Sequence, residues 1–139
     1  MLVLDSNHLQ ELAFRSQLGQ RLQVRLLETG YAVASTVVCA EESLRGIMAR
    51  IAIARNGSEQ IKGYEQLARQ IGFLAKFILL PWNAEAAERF HSLRAQGVRI
   101  GTMDLRIACI TLEHDALLLT RNTVDFAKVP NLRFENWLD

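Results

Sequence analysis

A single α/β domain built on a central, mostly parallel sheet is the fold that the sequence predicts, and three observations carry that reading. Short apolar runs alternate with longer stretches of helical periodicity, the pattern of strands joined by crossover helices. The runs are apolar throughout rather than alternating, as strands covered on both faces are. No linker, repeat or low-complexity tract divides the 139 residues, a length typical of one domain. About five strands flanked by helices are expected over residues 1–139, with one helical hairpin projecting from the sheet.

Met1–Leu4 is the first strand, and it ends abruptly in Asp5, Ser6 and Asn7. Helical spacing then runs from Leu9 to Leu27, with Gly19 as the expected break between two short helices and Gly30 as the C-cap. Tyr31–Ser35 is the second strand. Two helices follow, over about 37–55 and 59–75, turning at Asn56-Gly57-Ser58 with Ser58 as the expected N-cap. This pair is the hairpin. Phe77–Leu80, stopped by Pro81, is the third strand. Asn83 caps a helix that ends near Gly97, and Gly101-Thr102 opens another from Met103 to His114. Ala116–Thr120 is the clearest strand, followed by Arg121 and Asn122. A short turn or helix near Val124–Phe126 leads through Pro130 to a last strand at about Leu132–Phe134.

Composition excludes several classes. Half of the residues are apolar and 22% are charged, which describes a globular chain. No run approaches the roughly 18 to 20 apolar residues of a membrane span. No basic stretch precedes the opening strand, so no signal peptide is expected. Cys39 and Cys109 lie in apolar helical contexts and read as reduced core residues of a cytoplasmic protein. Sixteen basic against fifteen acidic residues leave a formal charge of +1, which neither demands nor excludes nucleic acid.

The acids are placed more tellingly than the charge is. In an open parallel sheet, ligands bind beyond the carboxyl ends of the strands. Asp5 follows the first strand, Glu42 lies two turns into the helix after the second, Asp104 opens the helix before the Leu117 strand, and Asp125 follows that strand with Asn122 beside it. Each has a bland role. Asp5, Asn122 and Asp125 suit caps. Asp104 suits a helix dipole, for roughly 0.3–1 kcal/mol. Glu42 could pair with Arg45. On a helical projection, Ala40, Leu44, Ile47, Met48 and Ile51 form the core face, whereas Glu42 shares a small, apolar stripe with Val38, Gly46, Ala49 and Ile53. A carboxylate there is expected to face a cleft or a close-packed neighbour, and periodicity leaves Glu41 as a competitor. Converging carboxylates need a cation, and all-oxygen ligation suits Mg²⁺ or Mn²⁺. His8, His91 and His114 lack zinc-site spacing. A hard cation in an acidic cleft points to phosphate chemistry.

These residues resemble the PIN-domain ribonucleases, and in particular the VapC-type toxins of bacterial toxin–antitoxin modules. Leu4-Asp5-Ser6-Asn7 is similar to that family's Leu-Asp-Thr-Asn opening. Thr36 to Gly46 resembles its second block, where the acid stands four residues before a glycine, which selects Glu42 over Glu41. Ile100 to Ala108 and Leu119 to Phe126 resemble the third and fourth, and Val129 to Trp137 the tail. The likeness runs end to end. Ser6, Cys39 and Ser43 depart from the commoner Thr, Thr and Leu without removing an acid, and with Asn122 neutral either Asp125 takes the fourth acid role or the site works with three carboxylates and an amide.

The resemblance implies a PIN-like fold and a Mg²⁺-dependent endoribonuclease, with Mn²⁺ able to substitute. Asp5 and Asp104 would bind the metal, and Glu42 would bind it or orient the attacking water. Asp125 would be a ligand or stand just behind one. Ser6, Asn7, Thr120 and Asn122 would position carboxylates and phosphate, and Arg121 would contact substrate. It further implies an RNA substrate, an antitoxin partner and a homodimer. The competing expectations are a housekeeping PIN nuclease of RNA processing or decay, and a catalytically silent PIN-like binding module.

Overall fold

The computed structural model describes residues 1–139. In chain order its elements are β1 (Leu2–Leu4), α1 (Ser6–Phe14), α2 (Gln17–Thr29), β2 (Val33–Thr36), α3 (Val37–Ala52), α4 (Gly57–Leu74), β3 (Ile78–Leu80), α5 (Ala84–Ala95), α6 (Thr102–Glu113), β4 (Leu117–Leu119), α7 (Thr123–Phe126) and β5 (Arg133–Glu135). The five strands form one sheet in the order β3-β2-β1-β4-β5. Every pairing is parallel. The sheet is therefore wholly parallel, and each expected strand is present within two residues of its expected bounds.

Burial explains why the strands read as unbroken apolar runs. Val3 and Leu4 of β1, Ala34 of β2, and Leu118 and Leu119 of β4 are completely inaccessible. On α6, Leu105, Ile107, Ala108, Cys109 and Ile110 are equally inaccessible. Five buried residues in six exceed one helical face, so α6 is wrapped by protein on more than one side. It carries Asp104 in its first turn.

The chain leaves β1 toward β2 on one side and returns to β4 on the other. That reversal opens a crevice at the carboxyl ends of β1 and β4, the place where open α/β sheets bind ligands. Register aligns the two ends, with Leu4 opposite Leu119. Asp5 N–H extends the ladder by donating to Leu119 O at 3.0 Å. Ser35 Oγ of β2 donates to Leu4 O at 2.7 Å. The backbone that presents Asp5 is thus held from both neighbouring strands.

Local chemistry moves some expected boundaries. The break between α1 and α2 falls at Arg15-Ser16, not Gly19. Arg15 adopts the left-handed conformation (φ 51°) and Ser16 Oγ accepts from Gly19 N–H at 3.0 Å, so α2 starts at Gln17. Asn56, rather than Ser58, caps α4, its Oδ1 accepting from Glu59 N–H at 2.9 Å. Glu59 Oε2 reciprocates by accepting from Arg55 N–H at 2.6 Å, a capping box shifted to the residue before the N-cap. Arg55 is therefore turn, and α3 ends at Ala52. Asn83 caps α5 as expected. Met48, expected on the core face of α3, is 58% exposed, because the hairpin of α3 and α4 extends past the sheet. Of α4 only Leu74 is buried.

Gly19 has a different function from the one its sequence suggests. A Cβ there would stand 2.0 Å from Glu11 O, on the backbone of α1. The two helices touch at this glycine. Gly19→Ala is therefore expected to destabilise the protein by about 1–3 kcal/mol through forced separation of α1 and α2. Urea unfolding of the variant measures it, and an unchanged midpoint would contradict the close approach.

Candidate active site

Asp5 is 6% exposed, and its carboxylate is surrounded by donors. Oδ1 accepts from Ser6 N–H at 2.7 Å, which makes Asp5 the N-cap of α1. Oδ2 accepts from Thr120 Oγ at 2.6 Å. The Cys39 thiol lies 3.9 Å from Oδ1. The capping role expected of this residue is realised, and its second oxygen is left to a side chain at the end of β4. Thr120 Oγ in turn accepts from Asn122 N–H at 3.0 Å, while its one proton is donated to Asp5. Burial nevertheless dominates and raises the Asp5 pKa above its ordinary value, with the Thr120, Ser6 and Cys39 donors opposing it.

Glu41 and Glu42 part company on α3. Glu41 is exposed and pairs with Arg45 one turn on, so Arg45 is not available to Glu42. Glu42 turns inward. Burial, then the charges of Asp5 and Asp104, push its pKa up to about 6. Its Oε1 is buried without a hydrogen-bond partner. Ser6 Oγ lies close enough to favour the Glu42 carboxylate but makes no hydrogen bond of ordinary geometry. Two buried oxygens facing one crevice with no protein partner are the chemistry of a site that receives something polar.

Asp104 is half-buried, and its pKa is raised by burial and by the charge of Asp5. Asn122 Nδ2 donates to Asp104 Oδ2 and to Asp125 Oδ2, both at 3.0 Å. Asn122 also caps α7, its Oδ1 accepting from Asp125 N–H at 3.4 Å. One amide therefore joins two acids and starts the turn that carries the second. Asp125 sits on the rim, 3.5 Å from Lys128, and its pKa is lowered by the Asn122 donor and by Lys128.

After burial, the charge of Asp5 raises the pKa of both Glu42 and Asp104, and Asp104 adds to the shift of Glu42, with Asp125 beside them through Asn122. Thr120 and Asn122 hold these carboxylates, Ser6 lies among them, and Asn7 is exposed on α1. Arg121 points elsewhere. Its Nε and Nη2 both donate to the Asp139 carboxylate at 3.1 Å, and Nη1 lies 3.7 Å from Glu11. Sequence reasoning missed three contributors. Ser35 locks the end of β1. Asp139 captures Arg121. His8, fully buried, accepts the Trp137 N–H at 3.2 Å and pins the tail beside α1. Only Ser35 left a signal, as a hydroxyl closing an apolar run.

No three His, Cys, Asp or Glu side chains stand close enough to enclose a metal ion by themselves. The donor set still fits Mg²⁺, which keeps several waters and takes one or two carboxylates. The unpartnered Glu42 oxygen is the observation that favours this fit.

No protein-family model matches the chain. Ribonuclease VapC1 of Haemophilus influenzae (strain R2866) is 33% identical over 91 residues, covering 58% of this chain and 68% of that protein. Ribonuclease VapC2 of Rickettsia felis is 33% identical over 69 residues, covering 47% of this chain and 52% of that protein. The chain thus spans about half the length of the Rickettsia relative in that match. Among solved structures, VapBC2 from Rickettsia felis bound to a promoter DNA fragment superposes with a TM-score of 0.75 at 21% identity, covering 98% of each chain. A toxin–antitoxin complex from Klebsiella pneumoniae gives 0.69 at 25% identity over 95% of each chain.

The raised pKa of Glu42 has a thermodynamic consequence. A folded-state acid whose pKa lies above its unfolded value stabilises the fold at low pH, and that contribution is lost as pH rises through the folded pKa. For Glu42 the window runs from the ordinary 4.5 to about 6. In metal-free buffer, Glu42→Gln should therefore raise the melting temperature relative to wild type at pH 7.5, and the gain should shrink toward pH 4.5. The comparison with wild type cancels His8, whose pKa burial lowers to about 4 and which acts with the opposite sign. A gain independent of pH would contradict the electrostatic account.

Proposed function

The chain belongs to the VapC ribonuclease family, and from that premise we propose that it is a Mg²⁺-dependent endoribonuclease, the toxin of a toxin–antitoxin pair. It hydrolyses phosphodiester bonds in single-stranded or loop RNA. The observation that carries this reading is the cluster of Asp5, Glu42 and Asp104 at the sheet's reversal point, with one buried Glu42 oxygen unpartnered. Such a cluster is costly in the absence of a cation. A scaffold without chemistry would have no need of it.

Asp5 and Asp104 would hold the ion, with Mn²⁺ able to replace Mg²⁺ and Glu42 and Asp125 completing the acidic surround. When bound, the ion neutralises charge on the phosphate and lowers the pKa of a nearby water. The protein's own groups do the positioning. Thr120 Oγ and Ser6 N–H fix the Asp5 carboxylate, as groups behind a metal ligand do. Asn122 fixes Asp104 and Asp125 at a set separation. Glu42 Oε1, free of other bonds, orients the attacking water and accepts its proton, a task for which a pKa close to neutrality is suited. Arg121 contributes a phosphate contact only if its pair with Asp139 opens.

The partners follow from the same reading. The hairpin of α3 and α4 leaves Met48, Ile53, Ile61, Tyr64 and Ile71 between 53% and 77% exposed. Exposed apolar surface of this kind is suited to a protein partner, here an antitoxin or a second copy in a homodimer. No helix is long and apolar enough to cross a membrane. With both cysteines free, we place the protein in the cytoplasm.

Cleavage of a mixed RNA substrate tests the reading. Wild type should cut in Mg²⁺ and in Mn²⁺, and lose activity in EDTA. Asp5→Ala should lose on the order of a hundredfold or more. Cleavage that survives both EDTA and the substitution would overturn the assignment.

A further inference from the structure

Beside the acid cluster lies a second, unassigned cavity of about 370 Å³ between α1, α3 and α4. Its size is within the range of small-molecule sites, roughly 300–1,000 Å³. Ser6, Cys39 and Glu42 line it, so it opens directly onto the catalytic crevice. Its distant wall has a different chemistry. Exposed Asn7 and Gln10 on α1 and half-buried Gln66 and Gln70 on α4 line it together with Ala13, Phe14 and Arg50.

Helical spacing makes this wall. Positions 7 and 10 share a face of α1, and positions 66 and 70 share a face of α4. Gln66 and Gln70 are half-buried, and neither amide is engaged with the protein. Gln20 and Gln96, by contrast, donate to Arg15 O and Ser92 Oγ. Four carboxamides around one chamber present paired donors and acceptors without charge. On α3, Glu42, Gly46 and Arg50 follow one another at single turns. Gly46 keeps the chamber open, since a Cβ there would meet nothing within 4 Å.

We propose that this cavity receives one unpaired purine of the RNA, adjacent to the bond that is cut, and so sets cleavage specificity. The inference rests on the ribonuclease reading and names its substrate feature. Carboxamides pair bidentately with the adjoining donor and acceptor of adenine, and an arginine fork pairs with those of guanine. An unstacked base in single-stranded or loop RNA offers those edges. The continuity of the cavity with Ser6 and Glu42 places the base next to the scissile phosphate. Gln66 and Gln70 read the base edge, and Arg50 either favours guanine or holds the flanking phosphate.

Two measurements decide it. Cleavage sites in a random single-stranded RNA pool with Mg²⁺ are sequenced for wild type, Gln66→Ala/Gln70→Ala, Gly46→Leu and the control Gln96→Ala. In parallel, binding of an oligouridine with and without one internal adenosine is measured in EDTA. Wild type should prefer purine at one fixed position near the cut. The double variant and Gly46→Leu should lower that preference on the order of tenfold, and Gln96→Ala should retain it. Gly46→Leu replaces a poor helix former by a good one, so its melting temperature should not fall, which separates a filled pocket from an unfolded one. A wild type that cuts without base preference, or variants that keep it, would overturn the proposal. So would variants that weaken only binding of a cognate antitoxin. A wild type that cuts nothing yet binds the adenosine oligomer more tightly would refute the ribonuclease reading and leave the pocket standing.

Discussion

A carboxylate at the end of a buried central strand has to be neutralised, surrounded by donors or matched by a cation, and Asp5 is where this chain meets that constraint. Its backbone is held by Leu119 and, through Leu4, by Ser35. Its oxygens are held by Ser6 N–H and Thr120 Oγ. These bonds tie the end of β1 to β2 and β4, so strand register fixes where the Asp5 carboxylate stands. The donors still do not offset burial, and the Asp5 pKa stays raised. Glu42 and Asp104 face this unrelieved charge, and their own pKa values rise with it. The fold therefore holds a standing demand for positive charge at one point. The arginine that follows β4 does not meet it, because Arg121 is taken by Asp139 and Glu11.

The parts of this arrangement that were legible in the sequence are those set by short-range rules. The all-apolar runs announced strands covered on both faces, and the parallel sheet followed. Asp5, Asp104 and Asp125 were legible because each stands just past a strand or in the first turn of a helix, and Glu42 because it falls off the core face of α3. What the sequence left open was the choice between capping and catalysis. In the structure Asp5 and Asn122 each cap a helix and also bond a neighbouring polar side chain, since one carboxylate or amide has enough lone pairs and protons for both. Glu42 could be separated from Glu41 only through the family's glycine spacing; in the structure, the pair between Glu41 and Arg45 gives the physical reason.

What was not legible depends on contacts distant in sequence. Nothing near Gly19 shows that it must pass the backbone of Glu11, so it read as a break rather than a contact. Met48 fits the apolar stripe of α3, yet the helix outruns the sheet that would cover it. Arg121 looked poised for phosphate, and only the folded tail brings Asp139 to it. The carboxamide wall was invisible for the same reason: α1 and α4 are far apart in the chain. Residues 7, 10, 66 and 70 have no common pattern until the hairpin folds beside α1.

The central proposal is that Asp5 and Asp104 together bind a divalent cation. Anomalous diffraction from crystals soaked in Mn²⁺ tests it most directly. The account predicts an anomalous peak within coordination distance of both carboxylates, absent in crystals of Asp104→Asn. A peak located elsewhere, or none at saturating Mn²⁺, would contradict it and leave the acid cluster without a metal role.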